Sequence, residues 1–179
     1  RRTSRHGDNA VAQDDRLAYL TTARAIEASG AQAVWIQHEY GIFGGPAGEH
    51  LLALLDRLTI PVIVTLHTIL ENPNDDQRRV MDGLLKRAAR IIVMADIGRD
   101  ILMRVYGADP RTIMMIPHGV PDRPLVDPDS MKPRFGWEGR KVLLTFGLLA
   151  PNKGIESVIS AMPEVVATNP DALYVVLGA

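Results

Sequence analysis

Short apolar segments of strand length alternate along the chain with amphipathic segments of helix length. The apolar segments are almost unbroken, and four of them occupy residues 32–38, 61–67, 90–94 and 112–116. Strands that are covered by helices on both faces have this pattern, whereas a strand with one wet face alternates apolar and polar residues. The pattern therefore predicts an α/β protein with a doubly wound parallel sheet.

The segments between these strands carry signals for helix starts and helix ends. Residues 13–29 have a helical pattern that stops at Gly30, a residue type common just after a helix. Pro46 is predicted to open a helix whose leucines recur with i, i+3, i+4, i+7 spacing. Two more helices are predicted over residues 75–89 and 96–107.

A proline-rich segment interrupts this alternation. Five prolines lie from Pro117 to Pro133, and the segment has little apolar periodicity, which is typical of a linker. The α/β pattern then restarts with a predicted strand over 141–149, a helix over 153–166 and a strand over 172–178. The chain is expected to hold most of one domain and the first strand, helix and strand of a second.

We divide the chain accordingly into three parts. Residues 1–120 are predicted to be an N-terminal domain that is incomplete at its start, residues 121–139 a linker, and residues 140–179 the beginning of a C-terminal domain. The chain lacks an initiator methionine and stops at the end of a predicted strand. We therefore expect it to be a fragment of a longer protein, with part of the chemistry outside it.

Composition narrows the class of partner. The chain is 46% apolar and 23% charged, which permits a packed core, and its net charge is −1 with no sustained basic face, so nucleic acid is not an expected partner. The apolar runs are too short for a transmembrane segment, which needs about 20 residues. The absence of cysteine excludes disulfides and fits a cytoplasmic location.

Three of the five histidines follow predicted strands. They are His38, His67 and His118, and ligands of open parallel sheets bind beyond the carboxyl ends of the strands. Imidazole both donates and accepts hydrogen bonds near neutral pH, so these rings suit the mouth of a crevice. A zinc site built from the three is an alternative, but no local spacing of ligands supports it, and no metal is expected.

Glycines follow the first of these histidines in the sequence QHEYGIFGGP. The polar residues His38, Glu39 and Tyr40 are expected to face the crevice, and Gly44 and Gly45 to let the backbone approach a ligand closely. The segment matches neither the dinucleotide-binding nor the Walker glycine pattern. A turn followed by a helix start would need much the same residues, so a purely structural role remains open.

Lys153 stands at the start of the predicted helix of the second domain. Its ammonium group beside free helical N–H groups would form a clamp for a pyrophosphate. A solvated lysine at a helix end is the simpler alternative.

Three segments, in this order, resemble the landmarks of glycosyltransferase family 4: PVIVTLHT, RIIVMADIGRDILMRVYGADPRTIMMIPHGV and LLTFGLLAPNKGIESVISAMPEV. The resemblance runs from about residue 32 to the end. It implies a retaining enzyme with two facing Rossmann-like domains, the GT-B type fold, and an active site between them. Such an enzyme moves a sugar from a nucleoside diphosphate to the hydroxyl of a sugar or lipid-linked acceptor. The nucleotide-sugar is a substrate, and no cofactor is expected.

The resemblance also assigns roles to residues. His67 matches a histidine near the transferred sugar and is the predicted catalytic residue. Residues 140–179 would begin the nucleotide-sugar domain, and residues 1–120 would be the acceptor side. The predicted donor-binding residues are Lys153, Gly147, Gly154, His118 and Gly119. The predicted acceptor-side residues are His38, Glu39, Tyr40, Gly44 and Gly45.

The chain departs from the family pattern at two positions. Leu148 stands where the family commonly has a diphosphate-binding arginine, and a helix-capping serine is absent near Ala95. Glu156 and Glu164 have the spacing of the family's glutamate pair but are expected to be exposed helix residues, with the true pair beyond residue 179. The family's amino-terminal glycine-rich loop is likewise expected before residue 1.

Two further functions remain as alternatives. One is a sugar- or nucleotide-binding α/β module without catalysis, which the missing arginine favours, and the other is a metal-dependent hydrolase built on the three histidines. We also expect the chain by itself to be nearly inactive, because catalysis needs both faces of the cleft and the second domain is truncated. The parent enzyme would serve carbohydrate biosynthesis.

Overall fold

The computed structural model describes residues 11–178 and contains two parallel sheets. The first has four strands in the order β1-β2-β3-β4, and the second has β5 beside β6. The strands are β1 (Val34–His38), β2 (Val62–Leu66), β3 (Arg90–Val93), β4 (Ile113–Met115), β5 (Lys141–Phe146) and β6 (Ala172–Leu177). The α/β class with a parallel sheet is confirmed, and so is the prediction that the strand after the proline-rich segment belongs to a different sheet.

The strands of the larger sheet follow one another in chain order. A doubly wound sheet has a reversal in strand order, and these four strands show none. On one face, Ile36, Val64 and Ile91 share a register row and are buried in the core. On the other face, the side chains of Trp35 and Met114 are exposed. The unbroken apolar runs thus predicted the parallel sheet correctly, whereas double winding does not appear within these strands.

Residues 11–178 contain six α-helices, one before β1 and five between successive strands. They are α1 (Arg16–Ala28), α2 (His50–Leu55), α3 (Asp75–Arg87), α4 (Asp96–Tyr106), α5 (Pro128–Met131) and α6 (Ile155–Thr168). The Asp15 carboxylate caps α1 by accepting from the Leu17 N–H, and Asn74 and Gln77 form a reciprocal capping box at the start of α3. Gly107 ends α4 in the left-handed conformation, as the sequence predicted.

The prediction that Pro46 opens an α-helix is wrong. Residues Pro46–Gly48 form a 3₁₀ turn, and α2 begins only at His50. The chain cannot continue from the turn into the helix because Ala47 and Gly48 both have positive φ, 51° and 84°. Proline fitted the first position of the short turn just as well as it would have fitted a helix.

The chain divides into two compact units, Arg1–Val120 and Pro121–Ala179. In the first unit, α1 to α4 and the four strands share one core, whose fully buried side chains include Ala23, Val64, Met81, Leu84 and Leu102. A hydrogen bond from the Tyr106 hydroxyl to the Leu70 carbonyl oxygen, 2.7 Å, ties α4 to the segment after β2. This packing fixes the strand ends that carry the polar residues.

The second unit contains β5, α6 and β6 and buries little. Among its described residues, Ala172 is the one buried apolar side chain, whereas Leu144, Phe146 and Leu177 are exposed. The predicted linker is not wholly irregular, because α5 and a 3₁₀ turn over Lys132–Phe135 lie within it. No helix in residues 11–178 is long and apolar enough to cross a membrane.

Candidate functional site

Polar side chains cluster at the carboxyl edge of the four-stranded sheet. Gln37, His38 and Glu39 lie at the end of β1, and His67 and Thr68 follow β2. The strands are parallel and in register, with His38 opposite Leu66, so their last residues reach the same edge. The His67 N–H donates to the His38 carbonyl oxygen at 3.0 Å, which continues the strand pairing one residue further.

His67 contacts a residue that the sequence did not single out. Its Nε2 lies 2.8 Å from the Gln37 amide oxygen, and both side chains are exposed. A carbonyl oxygen only accepts, so this arrangement places the proton of His67 on Nε2. The signal that could have found Gln37 is the register: it faces Thr65 across the ladder, two residues before His67 on the same side of the sheet.

Glu39 joins the two strand ends through its carboxylate. Its Oε2 accepts from the Thr68 hydroxyl at 2.6 Å, and its Oε1 accepts from the Tyr40 N–H at 3.1 Å. Tyr40 turns its own hydroxyl toward the Gln77 carbonyl oxygen, 3.4 Å away, and burial raises the pKa of its phenol. Thr68 is a second partner of the site that the prediction of site residues did not include.

His38 does not open onto the crevice, contrary to the prediction. Its side chain is fully buried, with its ring 5.1 Å from that of Tyr40 and 6.0 Å from that of Phe43. Neither ring nitrogen has a hydrogen-bond partner among the described residues. Burial lowers the pKa of His38 to about 4, with Glu39 opposing this shift and His67 adding to it. The ring is therefore neutral at pH 7. Successive side chains of a strand point to opposite faces, and His38 lies on the face of β1 that packs against the core.

The glycines of the loop pack against the protein itself. A Cβ at Gly44 would lie 1.8 Å from the Gln13 carbonyl oxygen, and one at Gly45 would lie 2.7 Å from the His50 ring. The Gly44 N–H donates to the Tyr19 hydroxyl, which in turn donates to Gln13, both at 3.0 Å. The expectation that these glycines leave room for a ligand is wrong, because Gly44 closely approaches the segment before α1 and Gly45 closely approaches His50 of α2.

A pocket of about 290 Å³ lies between the end of β2 and the start of α4. His67 and His118 both line it, with ring centroids 6.3 Å apart, and its floor is apolar. The lack of a side chain at Gly98 lets α4 pack closely against Ile69, because a Cβ at this position would lie 2.8 Å from the Ile69 side chain. Ala95 precedes α4 without a capping side chain, as the sequence indicated. The strand-end histidines His67 and His118 are thus brought together.

The remaining predicted donor-binding residues lie in the second unit, except Gly119, which is exposed after β4. Lys153 is exposed in a 3₁₀ turn over Pro151–Lys153, and Gly154 precedes α6 in the left-handed conformation with φ 63°. Gly147 follows β5 with φ 122°, and the neighbouring Leu148 is 77% exposed. Glu156 and Glu164 are exposed on α6, as predicted. Lys153 thus stands next to the unpaired N–H groups of α6.

The metal alternative has no ligand set in the part of the chain that the structure describes. No group of three or more histidine, aspartate or glutamate side chains is placed there to hold an ion. His38 is buried away from His67 and His118, which removes one of the three ligands that the sequence had suggested.

The fold and this edge together define a class: an α/β protein with a parallel sheet whose carboxyl end carries its polar residues, the place where such sheets bind ligands. A family model described as Glycosyltransferase Family 4 matches residues 13–123, more than half of the chain. The chain belongs to this family, and the resemblance seen in the sequence is confirmed.

Individual relatives are also glycosyl-transferring enzymes by name. D-inositol 3-phosphate glycosyltransferase of Segniliparus rotundus is 28% identical over 138 residues, 69% of this chain and 30% of the relative. Mannosylfructose-phosphate synthase of Agrobacterium fabrum is 34% identical over 94 residues, 49% of this chain and 20% of the relative. Alpha-D-kanosaminyltransferase of Streptomyces kanamyceticus is 24% identical over 138 residues, 68% of this chain and 36% of the relative. The chain spans between 20% and 36% of the length of these relatives.

A solved structure shares the fold. A chain in the crystal structure of accessory secretory protein 1, 2 and 3 in Streptococcus pneumoniae matches with a TM-score of 0.51 and 14% identity, over 90% of this chain and 30% of that chain. At this identity the match supports the fold alone.

Proposed function

We propose that this chain is part of a retaining glycosyltransferase that moves a sugar from a nucleoside diphosphate to an acceptor hydroxyl. The observation that carries the proposal is the polar edge of the first sheet, where Glu39 bonds Thr68 and Gln37 bonds His67 beside a pocket. Membership of glycosyltransferase family 4 supplies the reaction class.

The acceptor would meet the first unit at this edge. The Glu39 carboxylate uses one contact on each oxygen and keeps further acceptor capacity for a sugar hydroxyl. His67 would lie against the transferred sugar, at the pocket that it shares with His118. The other predicted acceptor-side residues would stabilise this edge by packing behind it and would not contact the acceptor. They are Tyr40, Gly44, Gly45 and the buried His38.

The donor diphosphate would meet the start of α6. Bond cleavage leaves negative charge on the nucleoside diphosphate, and fixed cations and helix N–H groups stabilise such charge. Lys153 and the N–H groups that follow Gly154 supply both, since α6 has no side-chain cap. The family resemblance makes His118 and Gly119 proposed donor-binding residues as well. We infer no cofactor and no metal for this reaction.

Sugars and sugar phosphates are the first acceptors to test. The names of two relatives contain a phosphorylated sugar or polyol, D-inositol 3-phosphate and mannosylfructose-phosphate. A lipid-linked sugar is the other acceptor class that we propose. The chain by itself should be nearly inactive, because the second unit, which would bind the donor, buries a single apolar side chain among its described residues.

A donor screen tests the proposed function. The full-length protein is incubated with a panel of nucleoside diphosphate sugars, with and without a panel of sugar, sugar phosphate and lipid-linked acceptors, and release of nucleoside diphosphate is measured. We expect release from one donor to increase when the right acceptor is added. Binding of a donor without any acceptor-dependent release would favour the non-catalytic module instead.

One observation favours the second candidate function, a sugar- or nucleotide-binding module without catalysis. Leu148 is exposed beside Gly147, where an arginine would add a second cation for the diphosphate, and a leucine contributes no charge. A Leu148→Arg variant separates the two: an active enzyme gains little, whereas a binding module acquires tighter donor binding and still no turnover.

A further inference from the structure

We propose that Gln37 is a positioning residue that fixes the tautomer and the ring orientation of His67. This inference rests on the proposed function for its consequence in catalysis, but not for its geometry. Gln37 was not among the predicted site residues, although it lies one residue before His38.

The backbone holds the two side chains together. Gln37 pairs with Thr65 in the ladder between β1 and β2, and His67 follows two residues later, so both side chains leave the sheet on the same face. The hydrogen bond from the His67 N–H to the His38 carbonyl oxygen fixes the His67 backbone directly beside β1. The 2.8 Å contact between Gln37 Oε1 and His67 Nε2 therefore joins two rigid strand ends rather than two mobile loops.

The chemistry of an amide suits this role. The Gln37 oxygen accepts from Nε2–H, so Nδ1 is the ring nitrogen that is left to contact a sugar hydroxyl. An amide oxygen makes this contact without bringing a charge to the site. Gln37 would thus define which ring nitrogen meets the substrate.

Two other groups near His67 do not make this contact. His118 approaches it only ring to ring, at 6.3 Å between centroids. The Glu39 carboxylate makes its hydrogen bonds with Thr68 and with the Tyr40 N–H. Among the described residues, Gln37 is the hydrogen-bond partner that the His67 ring has.

The first arm of the test does not depend on activity. In ¹⁵N-labelled full-length protein, the Nε2–H resonance of His67 should be detectable, because its hydrogen bond slows exchange with water. Gln37→Leu should remove that resonance, Gln37→Glu should keep it, and the control Gln32→Leu, which makes the same change at an exposed position before β1, should leave it unchanged. An unchanged resonance in Gln37→Leu would overturn the proposal.

The second arm asks whether Gln37 acts through His67. We expect Gln37→Leu to lower kcat/KM for transfer about tenfold, mainly through kcat, and to have no further effect when it is combined with His67→Ala. The same loss in both backgrounds would overturn the proposal, because Gln37 would then act by itself. If no donor supports transfer, the proposed function fails while the resonance measurement still decides the role of Gln37.

Discussion

His38 places a titratable ring inside the first unit at the end of β1. Its pKa is lowered from 6.5 to about 4 because the charged form would lose its hydration. The unfolded chain therefore binds a proton that the folded chain does not, and stability is lost as the pH falls from about 6.5 toward 4. Between pH 7 and pH 4.5 this loss amounts to about 2 kcal/mol.

The prediction is tested by urea unfolding of the protein and of His38→Leu at both pH values. The variant should lose about 2 kcal/mol less than the natural protein on acidification. At pH 7 the free energy of unfolding of the variant should be close to that of the natural protein or higher, since leucine removes a buried ring whose nitrogens lack partners among the described residues. An equal acid loss in both proteins would show that His38 is not held neutral by burial.

Gly44 provides a second prediction at the residue scale. A methyl group there would collide with the Gln13 carbonyl oxygen, a backbone atom that cannot move aside without shifting the segment before α1. Gly44→Ala should cost on the order of 3 kcal/mol of unfolding free energy, as overpacking at rigid sites does. Gly41→Ala is the matched control, because a Cβ at Gly41 meets nothing within 4 Å. Similar unfolding midpoints for the two variants would contradict the packing described here.

The start of α3 provides a prediction at the element scale. Asn74 accepts from the Gln77 N–H at 2.9 Å, and the Gln77 side chain accepts from the Asn74 N–H at 2.9 Å. Asn74→Ala should cost about 1 kcal/mol, because it leaves helical N–H groups unpaired. Asn72→Ala, in the exposed segment before the helix, should change the thermal midpoint little. If both asparagines cost the same, the capping box does not stabilise α3.

The same scale shows what the sequence could and could not predict. Apolar runs located all six strands, because short continuous apolar segments bounded by turn residues are a strong sequence signal for strands. The loop after β1 was misread at Pro46 and Gly44, because positive φ values and a contact with Gln13, 31 positions earlier, decide its shape. Spacing along the chain carries no trace of such a contact.

The sequence predicted part of the candidate site and missed the part that depends on contacts between strands. The meeting of His67 and His118 follows from one general rule, that parallel strands end at one edge. Gln37 and Thr68 were not among the predicted site residues, because their contacts depend on the register between β1 and β2. The burial of His38 depends on which face of β1 the helices cover, which the strand pattern alone leaves undecided.

At the scale of the whole molecule, the proposed donor site begins in the second unit. Lys153→Ala in the full-length protein should lower kcat/KM about a hundredfold, roughly 3 kcal/mol, because one charged donor is lost where leaving-group charge develops. Folding should be unaffected, since the side chain is exposed. Lys86→Ala, at an exposed lysine of α3, is the matched control. Normal donor affinity and turnover in Lys153→Ala would reduce Lys153 to a solvated residue at a helix start.

We propose that the protein transfers a sugar from a nucleoside diphosphate with retention of configuration, and this proposal can be tested directly. The most direct measurement is ¹H NMR of the reaction mixture, which reads the anomeric configuration of the first product from its H1 coupling before any later equilibration. We expect a new glycosidic bond with the same anomeric configuration as the donor. A product of inverted configuration, or donor consumption without any new glycosidic bond, would contradict it.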